Sequence, residues 1–365
     1  MSKTARSAAA GRRDEGSAFG SWPAYLVVSL VLAAAVYSFS PRPNPPFPPT
    51  QIEPDGLQIN GLARDGSRLI AVGELGHILY ADDSRGPWKQ AKIEPQRGSL
   101  LTQVAIVGDG VALAVGHDGW ILRSEDRGET WREVVFSTER SDPLLGIAGP
   151  YDGKIFAFGG FGLFVVSSDQ GQTWQPLSVA KNEAPSPAAA DADPFANAGS
   201  GIADRHLNAM TRASNGALLL VGEKGLMLRS TDNGETWQQL PEVYPGSFFG
   251  ILSLPSNTLV VFGMRGNAFR SQDFGQNWKK SEIPEATSLF GGAVTGKGEA
   301  VLIGDGNTVL ISHDDGVSFT RSSRGERRLL AGVLPLSETE WLTTGEGGVR
   351  RLTFDKDSSA AGERP

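Results

Sequence analysis

The sequence predicts an all-β chain, a seven-bladed β-propeller of four-stranded blades preceded by one apolar helix, and two recurrences carry that reading. The first is a turn of the form S-x-D-x-G-x-T-W, complete at Ser230-Thr231-Asp232-Asn233-Gly234-Glu235-Thr236-Trp237. Copies stand at Ser124–Trp131, Ser167–Trp174, Ser271–Trp278 and, with Phe319 in place of Trp, Ser312–Phe319. The second is an apolar run ending in glycine, at Gly73, Gly116, Gly159, Gly222, Gly263, Gly304 and Gly345, spaced by 43, 43, 63, 41, 41 and 41 residues. A period in the low forties holding several short strands is that of a propeller blade. Seven copies give seven blades, and the single long interval marks an insertion.

Each letter of the turn has an assignable task. The carboxylates of Asp126, Asp169, Asp232, Asp273 and Asp314 can accept backbone N–H groups within the turn. Gly128, Gly171, Gly234, Gly275 and Gly316 supply a positive φ. Trp131, Trp174, Trp237, Trp278 and Phe319 cover the hairpin, and each indole N–H then needs a partner. One repeat shows the strands most clearly: Phe249–Leu254, Thr258–Phe262, Ala268–Ser271 and Asn277–Ile283, strands a to d, joined by short loops.

These turns resemble the Asp-box, or BNR, repeats of sialidases and related propellers, a motif silent about activity. The fuller unit, with its V-G-x-x-G turn ahead of each box, is similar to the photosystem II stability/assembly factor family over residues 47–354. That resemblance implies a non-enzymatic seven-bladed propeller that helps a membrane complex assemble, with relatives in bacteria without photosynthesis. The first repeat departs from the box, reading Ala81-Asp82-Asp83-Ser84-Arg85-Gly86-Pro87-Trp88, and the seventh has lost it after Phe354-Asp355.

Residues 1–23 form a polar segment with Lys3, Arg6, Arg12 and Arg13, read as a cytoplasmic N-terminus. Residues 24–40 form the transmembrane or signal-anchor helix, uncharged and without an evident cleavage site ahead of Pro41. The expected localisation is the inner membrane, single-pass, with the propeller on the periplasmic side. Residues 41–46 are a Pro-rich tether. Residues 47–355 form the propeller, residues 180–205 an inserted loop rich in Ala, Pro, Asp and Asn, and residues 356–365 a disordered tail.

Phe47 stands five residues before Ile52-Glu53-Pro54, as Trp88 stands five before Ile93-Glu94-Pro95. Phe47–Glu53 therefore reads as a strand d with no a, b or c ahead of it. The last repeat has the complementary gap, with Leu329–Leu334, Trp341–Thr344 and Val349–Phe354 as a, b and c. The N-terminal strand is expected to complete that blade and remove an open sheet edge. By this count the a–b loops and boxes share one face, and the b–c turns and d-to-a linkers share the other. A tether entering at strand d would place the box face toward the membrane.

With 34 basic and 41 acidic residues the net charge is −7, which speaks against a nucleic-acid binder, and the absence of cysteine excludes disulfides and thiol catalysis. Sialidase chemistry needs an arginine triad and a Tyr/Glu pair, whereas this chain has five tyrosines, two of them, Tyr25 and Tyr37, in the anchor region. Asp109, Asp118, Glu223, Asp305 and Glu346 are read as solvated turn residues. His77, His117, His206 and His313 lack metal-ligand spacing. No cofactor, metal or catalytic residue is expected.

Arg123, Arg229 and Arg270 occupy one strand-c position, and Arg321, Arg324, Arg327 and Arg328 cluster before the seventh blade. Arg324, Arg327 and Arg328 are the candidate surface for an anionic partner or lipid headgroup. The expected role is a monomeric scaffold for assembly or stability of a membrane protein complex. The alternatives are an accessory subunit of an inner-membrane transporter and a glycan-binding, glycosidase-like or sialidase-like propeller. Aromatic platforms with a close carboxylate pair in the central cavity would favour glycan chemistry, and small residues there would favour scaffolding.

Overall fold

The computed structural model describes residues 22–40, 54–137, 142–177, 204–322 and 326–353. The chain divides into two units, residues 1–51 and 52–365. In the first, Trp22–Phe39 is a helix of 18 residues with mean hydropathy 1.8 and no charged side chain. At 1.5 Å per residue it is about 27 Å long, close to the hydrocarbon thickness of a bilayer. It begins two residues ahead of the expected boundary because Pro23 is tolerated in a first turn, where its missing N–H has no intrahelical partner.

The second unit is seven sheets arranged as antiparallel blades, six of them running outward from a to d and the seventh, among the described residues, from a to c. Blade 1 comprises Ile59–Asp65, Arg68–Gly73, Ile78–Ala81 and Lys89–Gln90. Blade 2 comprises Leu101–Gly108, Val111–Gly116, Ile121–Ser124 and Thr130–Val135. Blades 3 to 6 follow the same plan from strands a at Leu144–Tyr151, Leu207–Arg212, Phe248–Ser253 and Leu289–Val294. Blade 7 holds Leu330–Pro335, Glu340–Gly345 and Gly348–Thr353. The seven strands a form a closed ring, since Ile59–Asp65 packs beside both Leu101–Gly108 and Leu330–Pro335.

The fourth strand expected for blade 7, Phe47–Glu53, lies outside the described residues, as do the tether, residues 180–203 of the insertion and the chain beyond Thr353. The nearest described segment, Pro54–Gly56, packs against Gly348–Thr353, and Asp55 pairs with Arg350 at 3.7 Å.

Strand b of each blade is covered on both sides, which explains uninterrupted apolar runs such as Leu218-Leu219-Leu220-Val221 and Leu259-Val260-Val261-Phe262, all buried. The cores lie between adjacent blades. Ile70 and Val72 of blade 1 pack with Ala112, Ala114 and Trp131 of blade 2, and Phe156 and Phe164 of blade 3 pack with Leu218, Leu220 and Trp237 of blade 4.

Strand d is shorter than Asn277–Ile283 would make it. Lys279–Lys280 pairs with Phe269 and Arg270 of its own blade, after which Glu282 bridges in parallel to Ser318 of the next box. Blade 1 repeats the exchange: after Lys89–Gln90, the segment Lys92–Glu94 pairs in parallel with Thr130–Arg132 of blade 2. The outer strand changes partner, and this places Ile93 in the core shared with Trp131. The regular spacing from Trp88 to Ile93 and from Trp278 to Ile283 thus measures the step from one blade to its neighbour.

Candidate functional site

The box aspartates act inside their own turns. Asp126 Oδ1 accepts from Ser124 Oγ at 2.8 Å and from the N–H groups of Glu129 and Thr130 at 3.1 and 2.9 Å, while Oδ2 accepts from Thr130 Oγ1 at 2.6 Å. Ser124 Oγ in turn accepts the Gly128 N–H at 2.9 Å. Asp169 and Asp314 repeat the arrangement, and Asp273 does so with the Asn277 amide in place of a hydroxyl. The indole N–H groups of Trp131, Trp174, Trp237 and Trp278 donate to the carbonyls of Gly128, Gly171, Gly234 and Gly275. Burial raises the Asp232 pKa, but the Thr236 hydroxyl, the Thr236 N–H and the Ser230 hydroxyl outweigh it and hold the carboxyl down to about 2. The other four box aspartates are shifted in the same direction for the same reasons.

The box glycines face the preceding blade. Gly128 has φ 88°, and a Cβ there would lie 2.6 Å from Ile70 Cδ1. Gly171, Gly234, Gly275 and Gly316 meet Leu113, Phe156, Leu219 and Val260 in the same way. Blade 1 lacks this device: Asp82 is held instead by Lys89 at 2.8 Å and Arg68 at 3.0 Å.

The second family of glycines is needed for space. A Cβ on Gly73, Gly222 or Gly345 would stand 2.1 Å from the carbonyl oxygen of Gln58, His206 or Leu329, and the other four repeats are equally crowded. That carbonyl accepts the N–H of the residue after the glycine, as in Glu74 to Gln58 at 3.0 Å and Glu223 to His206 at 2.9 Å. In three blades a carboxylate closes the loop. Glu74, Glu223 and Glu346 accept the N–H groups of Gln58, His206 and Leu329 at 2.9, 3.1 and 3.2 Å. Glu223 and Glu346 are therefore tied to backbone rather than merely solvated, and Asp118 accepts from Ser99 Oγ at 2.6 Å.

The arginines divide into two groups. Arg123, almost wholly buried, donates through Nε to Gln170 O of the next blade's box at 2.9 Å. Arg351 makes the equivalent bond from blade 7 to Ser84 O of blade 1. Arg270 lies beside Gly316 of the following box. Of the candidate surface, Arg327 is exposed, Arg328 is half-buried and donates to Glu326 at 2.7 Å, and Arg324 lies outside the described residues. Arg321 pairs with Glu285 at 2.7 Å. The histidines are dispersed: His77 faces Gln90, His206 faces Glu223 at 3.5 Å and His313 faces Glu299 at 2.8 Å.

At the centre, the strands a enclose a cavity of about 370 Å³. Among the described residues its lining holds no Asp, Glu, Lys, Arg, His or Tyr. None of Asp109, Asp118, Glu223, Asp305 and Glu346 reaches it. The lining combines the two expectations for a cavity, with glycines at 61, 250, 291, 292 and 332 beside the rings of Phe249 and Phe290. Every strand a carries a register shift at its second residue. A bulge re-aims the side chain it carries, and these seven side chains ring the mouth on the b–c face. Asn60, Thr102 and Asn208 use that position to donate to Leu101 O, Leu144 O and Phe248 O of the next blade, at 2.8, 2.8 and 2.7 Å. Leu145, Phe249, Phe290 and Ala331 cannot, and Phe249 and Phe290 lie together with centroids 5.4 Å apart and planes inclined by 37°. No local pattern marks this ring in the sequence, because bulge positions are set by pairing across strands.

Comparison with known proteins agrees with this geometry. Two BNR/Asp-box repeat families match, one at residues 228–239 and one at residues 269–281, the boxes of blades 4 and 5. Among curated proteins, none matches the sequence. Of solved structures, YCF48 bound to D1 peptide is similar with a TM-score of 0.64 and 16% identity over 83% of this chain and 95% of that chain. YCF48 from Cyanidioschyzon merolae gives 0.62 and 13% over 84% and 98%. A catalytically inactive virginiamycin B lyase from Staphylococcus aureus with quinupristin gives 0.66 and 13% over 84% and 98%. The fold is therefore shared by binding proteins and enzymes alike. The chain is a seven-bladed β-propeller built on BNR/Asp-box repeats, similar in fold to YCF48.

Proposed function

We propose that this chain is a non-enzymatic scaffold: a rigid disc, anchored by the helix Trp22–Phe39 on the extracytoplasmic side of the inner membrane, that binds an exposed segment of a membrane protein and stabilises its assembly. One observation carries the reading. Among the described residues, the cavity where propeller enzymes hold their reacting groups has no titratable lining, and the repeat's own carboxylates are consumed by hydrogen bonds within the boxes. The likeness to YCF48, a propeller captured with a D1 peptide, supports it. Arg324, Arg327 and Arg328 are the basic surface offered to such a partner, with Arg327 the exposed member among the described residues.

The test is affinity purification from detergent-solubilised membranes with mass spectrometry of the co-purifying proteins. Enrichment of the subunits of one membrane complex, reduced by reversing the charge at all three arginines, is the expected result. Recovery of the bait alone, or of the same partners with the charge-reversed chain, would remove the basis for the reading.

A further inference from the structure

We propose that the b–c mouth of the central cavity binds a neutral planar ring bearing an N–H group, of the indole class, seated against Phe249 and Phe290. The first support is the unequal use of the seven bulged positions. Three of them join neighbouring blades through hydrogen bonds, and removing those would loosen the ring of strands. Phe249 and Phe290 do no such work. They are only half-buried, and they line the cavity as a tilted pair with centroids 5.4 Å apart. Aromatic groups prefer inclined or offset partners at about 4.5–7 Å, so the pair leaves faces and edges for a third ring.

The second support is charge. A charged ligand entering this cavity would lose hydration and find no opposite charge, because among the described residues the lining holds no ionisable side chain. A neutral ring meets no such penalty. The third is polarity: Asn208 donates its Nδ2 to Phe248 O, beside the aromatic pair, which leaves Oδ1 as an acceptor for a ring N–H. The cavity volume of about 370 Å³ lies at the small end of the range usual for small-ligand pockets, which suits one fused ring rather than an extended chain. The inference does not depend on the disc having a membrane-protein client.

Two sources share this chemistry, a tryptophan side chain of a partner and a free indole-like compound. The experiment is saturation-transfer NMR on the full chain in detergent, with N-acetyl-tryptophanamide as probe and N-acetyl-leucinamide as control. Saturable transfer to the indole protons is expected, weakened about tenfold by Phe249→Ala or Phe290→Ala, in line with the loss of one aromatic pairing. Phe161→Ala, which removes an exposed ring from the b–c turn of blade 3, should leave it unchanged. If an alanine variant melts early, Phe249→Leu keeps the volume without the ring and should give the same tenfold weakening, while Ala331→Phe fills the mouth and should abolish transfer. Tighter binding of a capped Gly-Gly-Trp-Gly-Gly peptide than of free indole assigns the partner side chain, and the reverse order assigns the small molecule. Absence of saturable transfer, or transfer undiminished in the Phe249 and Phe290 variants, overturns the proposal.

Discussion

Gly128 of the second box lies against Ile70 of the first blade, so close that a methyl group on its Cα would stand 2.6 Å from Ile70 Cδ1. The box therefore does two things, closing its own hairpin and resting on its neighbour's strand b. Gly128→Ala should cost about 2–3 kcal/mol, part from the positive φ and part from the collision. Shortening the obstacle by Ile70→Ala should remove the second part, so the double variant should be more stable than the sum of the single effects requires. A double-mutant cycle by denaturant unfolding checks this. Strict additivity would mean that the box glycine answers only to its own turn.

Gly222 makes a different demand. A Cβ there would meet His206 O, a backbone atom fixed by the Glu223 N–H, at 2.1 Å. No side-chain truncation can relieve that contact, and Gly222→Ala should cost about 3 kcal/mol or more. Gly56, with open space around it, should tolerate alanine with almost no change in melting temperature. Equal melting of the two variants would show that the glycine ending each apolar run is replaceable.

The number of blades and their order were legible in the sequence because each depends on local pattern: Asp232 and Trp237 mark a turn, and Leu218–Val221 marks a strand buried on both faces. The internal bonding of a box was legible for the same reason, since Asp232 bonds to groups within four residues. What stayed hidden is whatever one blade does to another. Ile70 meeting Gly128, Arg123 reaching Gln170 and Glu282 changing partner to Ser318 all join residues about 36 or more apart in the chain, at distances set by the closed ring and not by any local signal. The bulge that turns Phe249 and Phe290 into the cavity is equally non-local.

Acid should reveal the boxes as a group. The Asp232 carboxyl titrates at about 2 in the folded chain against an ordinary 3.8. A depressed folded pKa means stability that is fully present above the ordinary value and lost as pH falls through the folded one. Melting temperature should therefore fall between about pH 4 and pH 2, and Asp232→Asn should make that fall shallower. At neutral pH the same variant should cost about 1 kcal/mol, because the amide cannot accept from both Thr236 Oγ1 and the backbone as the carboxylate does. An unchanged acid profile would remove Asp232 from the groups that set it.

The seam between blades 7 and 1 should open first. Among the described residues its core holds Ile59, Ala71 and Leu79 as buried members, against thirteen between blades 1 and 2. Blade 1 lacks the intact box that every following blade through the sixth brings to its junction, and Arg351 supplies a substitute by donating to Ser84 O while paired with Glu340. A charged donor to a backbone carbonyl, partly exposed as this one is, contributes about 1–2 kcal/mol. Arg351→Ala should therefore raise amide hydrogen exchange in Glu340–Gly345 and Arg68–Gly73 while leaving Leu259–Gly263, on the far side of the ring, protected as before. Equal exchange at all three strands would show that the ring opens as a whole, and that the seam is no weaker than any other junction.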